Sequence, residues 1–263
     1  MKYFIFSDVH GYYSMLKKEL IKKGYDENNP NHMLISLGDN FDRGPENIKM
    51  YEFLKLMKEK NKIILVKGNH EDLFLKMLYR GYAARNDYTN GTYATLQDFI
   101  DLFFETSIKD MFYYNTKEVY YTLRDEGIID FFYDMKDYFE TKNYIFTHGF
   151  IPVNEFDYTY KENWRNSSSD EFAVSRWKNG IQMSIDFHIG EKNKKIVIGH
   201  YHTSYGHARK EYPTLNSFQL REVEFCNNAN FGIYEDENII AIDACTHYSK
   251  KINVLVVEDE DLW

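Results

Sequence analysis

The chain predicts an α/β fold: parallel strands flanked by helices, with a second, more antiparallel sheet packed on the first. Three observations carry this. Strand and helix alternate over the first eighty residues. Short apolar runs crowd together again after Asn143. Nearly every one of those runs ends directly in charged or histidine-bearing turns. A chain of 263 residues can bury one sizeable core, and a hydrophobic content of 43% belongs to a globular protein rather than a disordered one.

Taken in order, "KYFIFSD" is short and rich in β-formers, the pattern of a buried strand. "YYSMLKKELIKKG" reads as a helix closed by Gly24, with lysines in its last turns where the helix dipole favours them. "MLISLGD" is a second strand and "PENIKMYEFLKLMKEK" a second helix, with Pro45 suited to its first position. "KIILVKG" and the helical "EDLFLKMLYRG" complete a β-α-β-α-β-α series, which calls for parallel strands. The rhythm then changes. "TYATLQDFIDLFFETSIKDMFYY" and "EGIIDFFYDMKDYFE" have helical spacing, so residues 82–142 are expected to form a helical insertion or cap within a single domain spanning 1–263. "NYIFTHG", "KKIVIGH", "NIIAIDA" and "KINVLVVE" follow as strands with less helix between them, hence the second, more antiparallel sheet.

Composition narrows the function. A net charge of −9 argues against nucleic acid as the main partner, because phosphate backbones need a basic face. No apolar run approaches the length of a membrane span. The opening "MKYFIFSDVHG" reaches Asp8 too soon for a signal peptide. Cys226 and Cys245 have neither zinc spacing nor the number for a disulfide framework, so a reducing cytoplasm is expected.

The strand ends form a constellation. Strand one ends in Asp8-Val9-His10-Gly11, strand two in Asp39 with Asp42 and Arg43 beyond it, strand three in Gly68-Asn69-His70-Glu71. Later strands end in His148-Gly149 and Gly199-His200-Tyr201-His202. In sheets built of parallel strands the carboxyl ends gather along one edge, and that edge hosts ligands. Asp, His and Asn without Cys suit Mn, Fe or Zn rather than a soft metal. Two ions about 3.5–4 Å apart are most simply held by a shared carboxylate. Asp39, midway in chain order, is the natural bridge, with Asp8 and His10 on one ion and Asn69, His148 and His200 on the other. Arg43 offers a planar fork suited to a phosphoryl group. Asp42 can orient His70 as a general acid. The implied reaction is attack on phosphorus by a hydroxide bridging two divalent ions, with His70 protonating the leaving oxygen.

"DVHG", "GDNFDRG" and "GNHE", followed by two His-bearing strand ends, resemble the calcineurin-like metallophosphoesterases. "GDNFDRG" with "GNHE" is most similar to the phosphoprotein phosphatase branch, which includes bacterial and phage-type serine/threonine phosphatases and symmetrical dinucleoside tetraphosphatases. The resemblance covers most of the chain and implies two mixed β-sheets sandwiched between helices. It assigns Asp8, His10, Asp39, Asn69, His148 and His200 to the metals, Asp42 with His70 to an acid dyad, and Arg43 to a phosphate clamp. It also suggests Arg176, in "AVSRWKNG", as a second phosphate-binding arginine. "NDYTNGTYATL" is similar to a substrate-side loop of the bacterial members, which would make Asn90 a substrate contact. "GHYHT" departs from the branch: its second histidine, His202, is a metal ligand in the wider superfamily and usually missing in the protein phosphatases.

Single residues also have ordinary roles. Glu71, beside His70 at a helix start, suits the dipole or a cap. His32, His188, His207 and His247 are given no chemistry, and the tyrosine-rich middle is expected to pack rather than to stack on bases. The expectation is therefore a phosphoesterase with two divalent ions, Mn foremost, with Fe or Zn as alternatives. Its substrate would be a phosphoprotein or small phosphomonoester. Hydrolysis of dinucleoside tetraphosphates is the alternative, and phosphodiester cleavage is a third reading that His202 supports. A degenerate binding protein is disfavoured because no proposed ligand or dyad member is substituted.

Overall fold

The computed structural model describes residues 1–104 and 116–260. Residues 105–115, inside the helical stretch expected from Thr92 to Tyr114, lie outside the described residues, as do 261–263 of the acidic end.

The first three β-α units form as expected: β1 (Lys2–Phe6), α1 (Tyr13–Lys22), β2 (His32–Ser36), α2 (Asn47–Glu59), β3 (Ile63–Leu65) and α3 (Asn69–Arg80). β1, β2 and β3 are parallel neighbours, with Phe4 opposite Leu34 and Leu34 opposite Ile63. Among the described residues four helices follow: α4 (Arg85–Asn90), α5 (Thr92–Phe103), α6 (Thr116–Asp125) and α7 (Ile128–Tyr133). Leu96, Phe99, Val119 and Ile128 from this stretch share one apolar cluster with Phe4, Phe6, Met50 and Phe74.

The second sheet is built from β4 (Phe139–Glu140), β5 (Tyr144–Phe146), β8 (Lys195–Ile198), β10 (Ile239–Ala241) and β9 (Tyr234–Glu235), in the order β4-β5-β8-β10-β9. Its three central strands are parallel and both its edges are antiparallel, so it carries more antiparallel pairing than the first sheet, as expected, around a parallel centre. That centre follows from the connections. Between β5 and β8 come a two-stranded hairpin, β6 (Val153–Asn154) with β7 (Thr159–Tyr160), and helices α8 (Ser169–Ser175) and α9 (Gly180–Phe187). α10 (Thr203–Glu211) and α11 (Ser217–Glu224) lie between β8 and β9, ahead of β10. Each connection is long enough for the crossover that parallel pairing needs. After α12 (Thr246–Ser249), β11 (Leu255–Glu258) leaves this sheet and pairs antiparallel with β1.

Both sheets are therefore mixed, and period-two side-chain alternation stacks them. Tyr3, Ile5, Ile35 and Leu37 of the first sheet meet Phe139, Phe146, Val197 and Ile240 of the second in one buried layer. Phe4, Phe6 and Leu34 point the other way, under the N-terminal helices. Ile145, Ile196, Ile198 and Ile239 point away from the shared layer into a third cluster with Trp164, Phe172 and Ile181. The result is helix, sheet, sheet, helix, with the carboxyl ends of the parallel strands of both sheets opening on one side.

Candidate metal centre and active site

Backbone strain marks that side. Among the described residues twelve non-glycine residues have positive φ, and Asp8, His10, Asp39, Asp42, Arg43 and His200 are six of them. Such conformations cost about 1–3 kcal/mol each and persist only where surrounding contacts enforce them. Here the turns enforce one another. His10 N donates to Asp39 O at 3.0 Å, Asp8 N to Gly38 O at 3.1 Å and Gly11 N to Asn40 O at 2.8 Å. Gly38 and Gly68 pass so close that a β-carbon on either would strike the other turn, Gly68 meeting the Asp39 carboxylate itself.

Glu71 locks this junction. Its Oε2 accepts from Asp39 N at 2.9 Å and Gly68 N at 2.8 Å, and its Oε1 from Asn40 N at 2.9 Å and Asn40 Nδ2 at 3.1 Å. The Gly68 bond is the helix-capping contact expected at the start of α3. The contacts to Asp39 and Asn40 go further, because they fix the second strand's turn.

Asp39 stands at the centre. Its Oδ1 accepts from His70 N at 3.0 Å and lies 3.3 Å from His148 Nε2, while its Oδ2 lies 3.9 Å from His10 Nε2 and 3.8 Å from His70 Nε2. Among the described residues two groups of ligand atoms converge within 4.8 Å: His10, Asp39 and His70, and Asp39, His148 and His200. The rings are oriented from behind. His10 Nδ1 donates to Phe41 O at 2.8 Å and His148 Nδ1 to Leu37 O at 2.7 Å, which turns each Nε2 towards the cage. Backbone carbonyls in this role fix tautomer and ring angle in metal sites.

The charges of the cage fit a bound cation. His148 Nε2 lies 2.8 Å from Asn69 Oδ1, so both of its nitrogens face oxygen acceptors, the pattern of an imidazolium. Burial works against that charge, but Asp39 beside it overrides burial, and the His148 pKa is pushed up to about 9. Burial also works to raise Asp39, yet His148, His70 and His10 hold its carboxyl well below the usual range. Burial pushes up the carboxyls of Asp8, Glu71 and Asp243. Buried carboxyls thus crowd around one cage, and divalent ions would offset the cost of keeping them charged. Burial drives His200 down to about 3 and His10 well below its ordinary value, leaving neutral imidazoles suited to ligation.

His70 has different neighbours. Its Nδ1 donates to Asp42 Oδ2 at 2.6 Å, and its Nε2 accepts from Arg43 Nη2 at 3.1 Å. Arg43 Nη1 reaches His10 Nε2 at 3.2 Å. Asp42 is held in turn by Thr92 Oγ1 at 2.8 Å and Thr95 Oγ1 at 2.5 Å, both from α5.

The cleft over this cage has a volume of about 340 Å³. Asp8, His10, Asp39, Arg43, Asn69, His70, Asn90, His200 and His202 line it, so most of the sequence-selected residues meet there. Asp42 and His148 lie buried behind its wall. Arg176 is not on it: its Nε lies 3.1 Å from Asp72 Oδ2, and both its Nη atoms bond Asp137 Oδ1 at 3.2 Å. His202 lines the cleft, but its Nδ1 lies 3.0 Å from Ser204 Oγ and its Nε2 3.4 Å from Glu224 Oε2, and it belongs to neither converging group.

Sequence reasoning passed over several residues of this region. Asp243 lines the cleft at the end of β10, its Oδ1 accepting from Cys245 N at 2.6 Å. Its signal was present, since "IIAIDA" ends as "KYFIFSD" does. Thr92 and Thr95 carried no local signal. Trp177, beside Arg176 in "AVSRWKNG", and Arg221, from an element that no motif covers, also face the cleft.

The profile of the calcineurin-like phosphoesterase family matches residues 1–234. The asymmetrical bis(5'-nucleosyl)-tetraphosphatase PrpE of Oceanobacillus iheyensis is 24% identical over 241 residues, covering 83% of this chain and 94% of the relative. The protein of the same name in a Geobacillus species is 34% identical over 106 residues, 38% of this chain and 42% of that one. Among solved structures, the cold-active protein-tyrosine phosphatase of a psychrophilic Shewanella aligns with a TM-score of 0.49 at 18% identity, covering 98% of this chain and 75% of that chain.

Proposed function

Because the chain belongs to the calcineurin-like phosphoesterase family, whose members are hydrolases with a divalent metal centre, we propose that it hydrolyses a terminal phosphoryl group at a two-metal site, with phosphomonoesters as the basic substrate. One observation carries this. The Asp39 carboxylate has two occupied faces, His148 at 3.3 Å from one oxygen and His10 at 3.9 Å from the other. Asp39 would bridge, with Asp8 and His10 on one side and Asn69, His148 and His200 on the other. When bound, the ions lower the pKa of water and neutralise phosphate charge. Manganese is the first ion to test, with iron and zinc as alternatives.

The chain's own residues do the rest. Arg43 lies between the His10 and His70 rings, where its fork can take two phosphoryl oxygens. Asp42 accepts the His70 Nδ1 proton and so favours the imidazolium, whose Nε2 proton would be given to the leaving oxygen. Thr92 and Thr95 keep Asp42 in that orientation. Asn90, on the rim, would contact the substrate beyond the phosphoryl group. Arg176, tied to Asp72 and Asp137, would have to leave two acids to reach phosphate. His202 would serve a metal only by giving up Glu224.

A second reading, hydrolysis of a phosphoanhydride in a dinucleotide, is favoured by the tetraphosphatase relative that aligns over most of the chain. Metal analysis of the purified protein, paired with turnover of aryl phosphomonoesters, diesters and dinucleoside polyphosphates, tests both. Turnover in metal-free protein would refute the proposal, and diester turnover far above monoester would refute the monoester preference.

A further inference from the structure

Arg221 is a surface arginine with unusually defined surroundings. It sits on α11, a helix capped at Asn216, whose side chain accepts from Phe218 N and Gln219 N while Gln219 returns a bond to Asn216 N. The Arg221 guanidinium lies over the Phe225 ring at 4.7 Å. Phe225 is itself wedged against His202 at 4.7 Å and Tyr248 at 5.1 Å. Nη1 reaches Glu224 Oε2 at 3.3 Å and His202 Nε2 at 3.4 Å. Glu224 is only 3% exposed, yet the Arg221 side chain is 61% exposed. A buried acid and a packed ring thus hold a largely exposed guanidinium fork in one place.

That fork lines the same cleft as Arg43. Arg43 comes from the turn after β2, in the first sheet, and Arg221 from α11, which follows the β8 strand of the second. The cleft therefore has a guanidinium on each half of the molecule, and its volume of about 340 Å³ suits a ligand much larger than one phosphoryl group. Arg43 answers to the scissile group, which leaves Arg221 without a part in monoester hydrolysis.

We propose that Arg221 is a specificity residue that binds a second phosphoryl group beside the scissile one, so that phosphoanhydrides of the nucleoside polyphosphate type are hydrolysed in addition to monoesters. This rests on the phosphoanhydride reading above. The water oxygen bonds to the scissile phosphorus and the bond to the bridging oxygen breaks. The departing phosphate keeps that electron pair, and His70 supplies its proton. Arg221 serves the charge on the neighbouring phosphate.

The test compares ATP with p-nitrophenyl phosphate in the manganese-loaded full chain. Arg221→Ala should lower the ratio of the two kcat/KM values by about tenfold to a hundredfold, the scale of a lost charge-assisted pair, and Arg221→Lys should fall between. Binding gives a second readout. Methylenediphosphonate should inhibit the wild type more strongly than inorganic phosphate does, and Arg221→Ala should erase that difference. Melting curves of Arg221→Gln, which keeps a polar group beside Glu224, check that the helix survives. If both substrates turn over but neither the ratio nor the inhibition changes, the role of Arg221 is overturned while the phosphoesterase stands. The same holds if the wild type takes only the aryl ester. Failure to turn over either substrate would sink the proposed function, and this inference with it.

Discussion

Glu71→Gln changes one atom and should be among the most damaging substitutions in the chain. The Glu71 carboxylate accepts four hydrogen bonds, two at each oxygen, from Asp39 N, Gly68 N, Asn40 N and Asn40 Nδ2. A glutamine has one oxygen, so its NH₂ group must face two buried donors, whichever way it turns. Each buried donor left without an acceptor costs about 1–3 kcal/mol, so the loss is about 2–6 kcal/mol. Taking about 3 kcal/mol and about 2–4 °C per kcal/mol for a chain of this size, the melting midpoint falls by roughly 6–12 °C. The turns that hold Asp39 and Asn69 loosen together, so divalent-ion affinity should fall by about tenfold to a hundredfold. Scanning calorimetry of metal-free protein measures the first effect and calorimetric titration with Mn²⁺ the second. A Glu71→Gln protein that melts with the wild type and binds Mn²⁺ equally would refute the role given to this carboxylate.

Four further outcomes are expected. His70→Asn should lower kcat by about 10²–10⁴-fold with metal content unchanged by elemental analysis; lost metal would make His70 a ligand. His202→Ala should leave Mn²⁺ stoichiometry at the wild-type value, because the ring faces Ser204 and Glu224, and a lost equivalent would place it on an ion. Chelation should abolish turnover and added Mn²⁺ should restore it. Asp259 accepts from Thr141 Oγ1, Asn143 N and Asn143 Nδ2; burial works to raise its carboxyl, but these bonds outweigh it and hold the pKa below the ordinary value. A depressed carboxyl stabilises the fold above its unfolded pKa and loses that contribution as pH falls. The melting-point gap between wild type and Asp259→Asn should therefore be full at neutral pH and shrink below about pH 4, whereas a gap constant down to pH 3 would contradict it.

Local pattern made much of this molecule legible. The β-α rhythm located β1 to α3 because each strand and helix carries its own periodicity, and a strand-end acid such as Asp8 announces itself beside its strand. What local pattern could not carry was pairing at a distance. "KINVLVVE" looks like a neighbour of "NIIAIDA", yet β11 crosses to β1, where Val257 lies opposite Tyr3. Glu171 precedes Arg176 by one helical stretch, yet the acids of Arg176 are Asp72 and Asp137, far away in the chain. Thr95 touches Asp42 across 53 positions, and no motif spans that gap. His202 stood in a superfamily turn, and its surroundings depend on Glu224 and Phe225, which that turn does not include.

The pairing of β11 with β1 has a consequence for biosynthesis. Until residues 255–258 leave the ribosome, one side of Lys2–Phe6 has no partner, although β2 covers the other within the first forty residues. A bare apolar strand margin is a template for joining another chain. Nascent or prematurely terminated copies should thus be prone to aggregate, and chaperone dependence should ease only when the last strand docks.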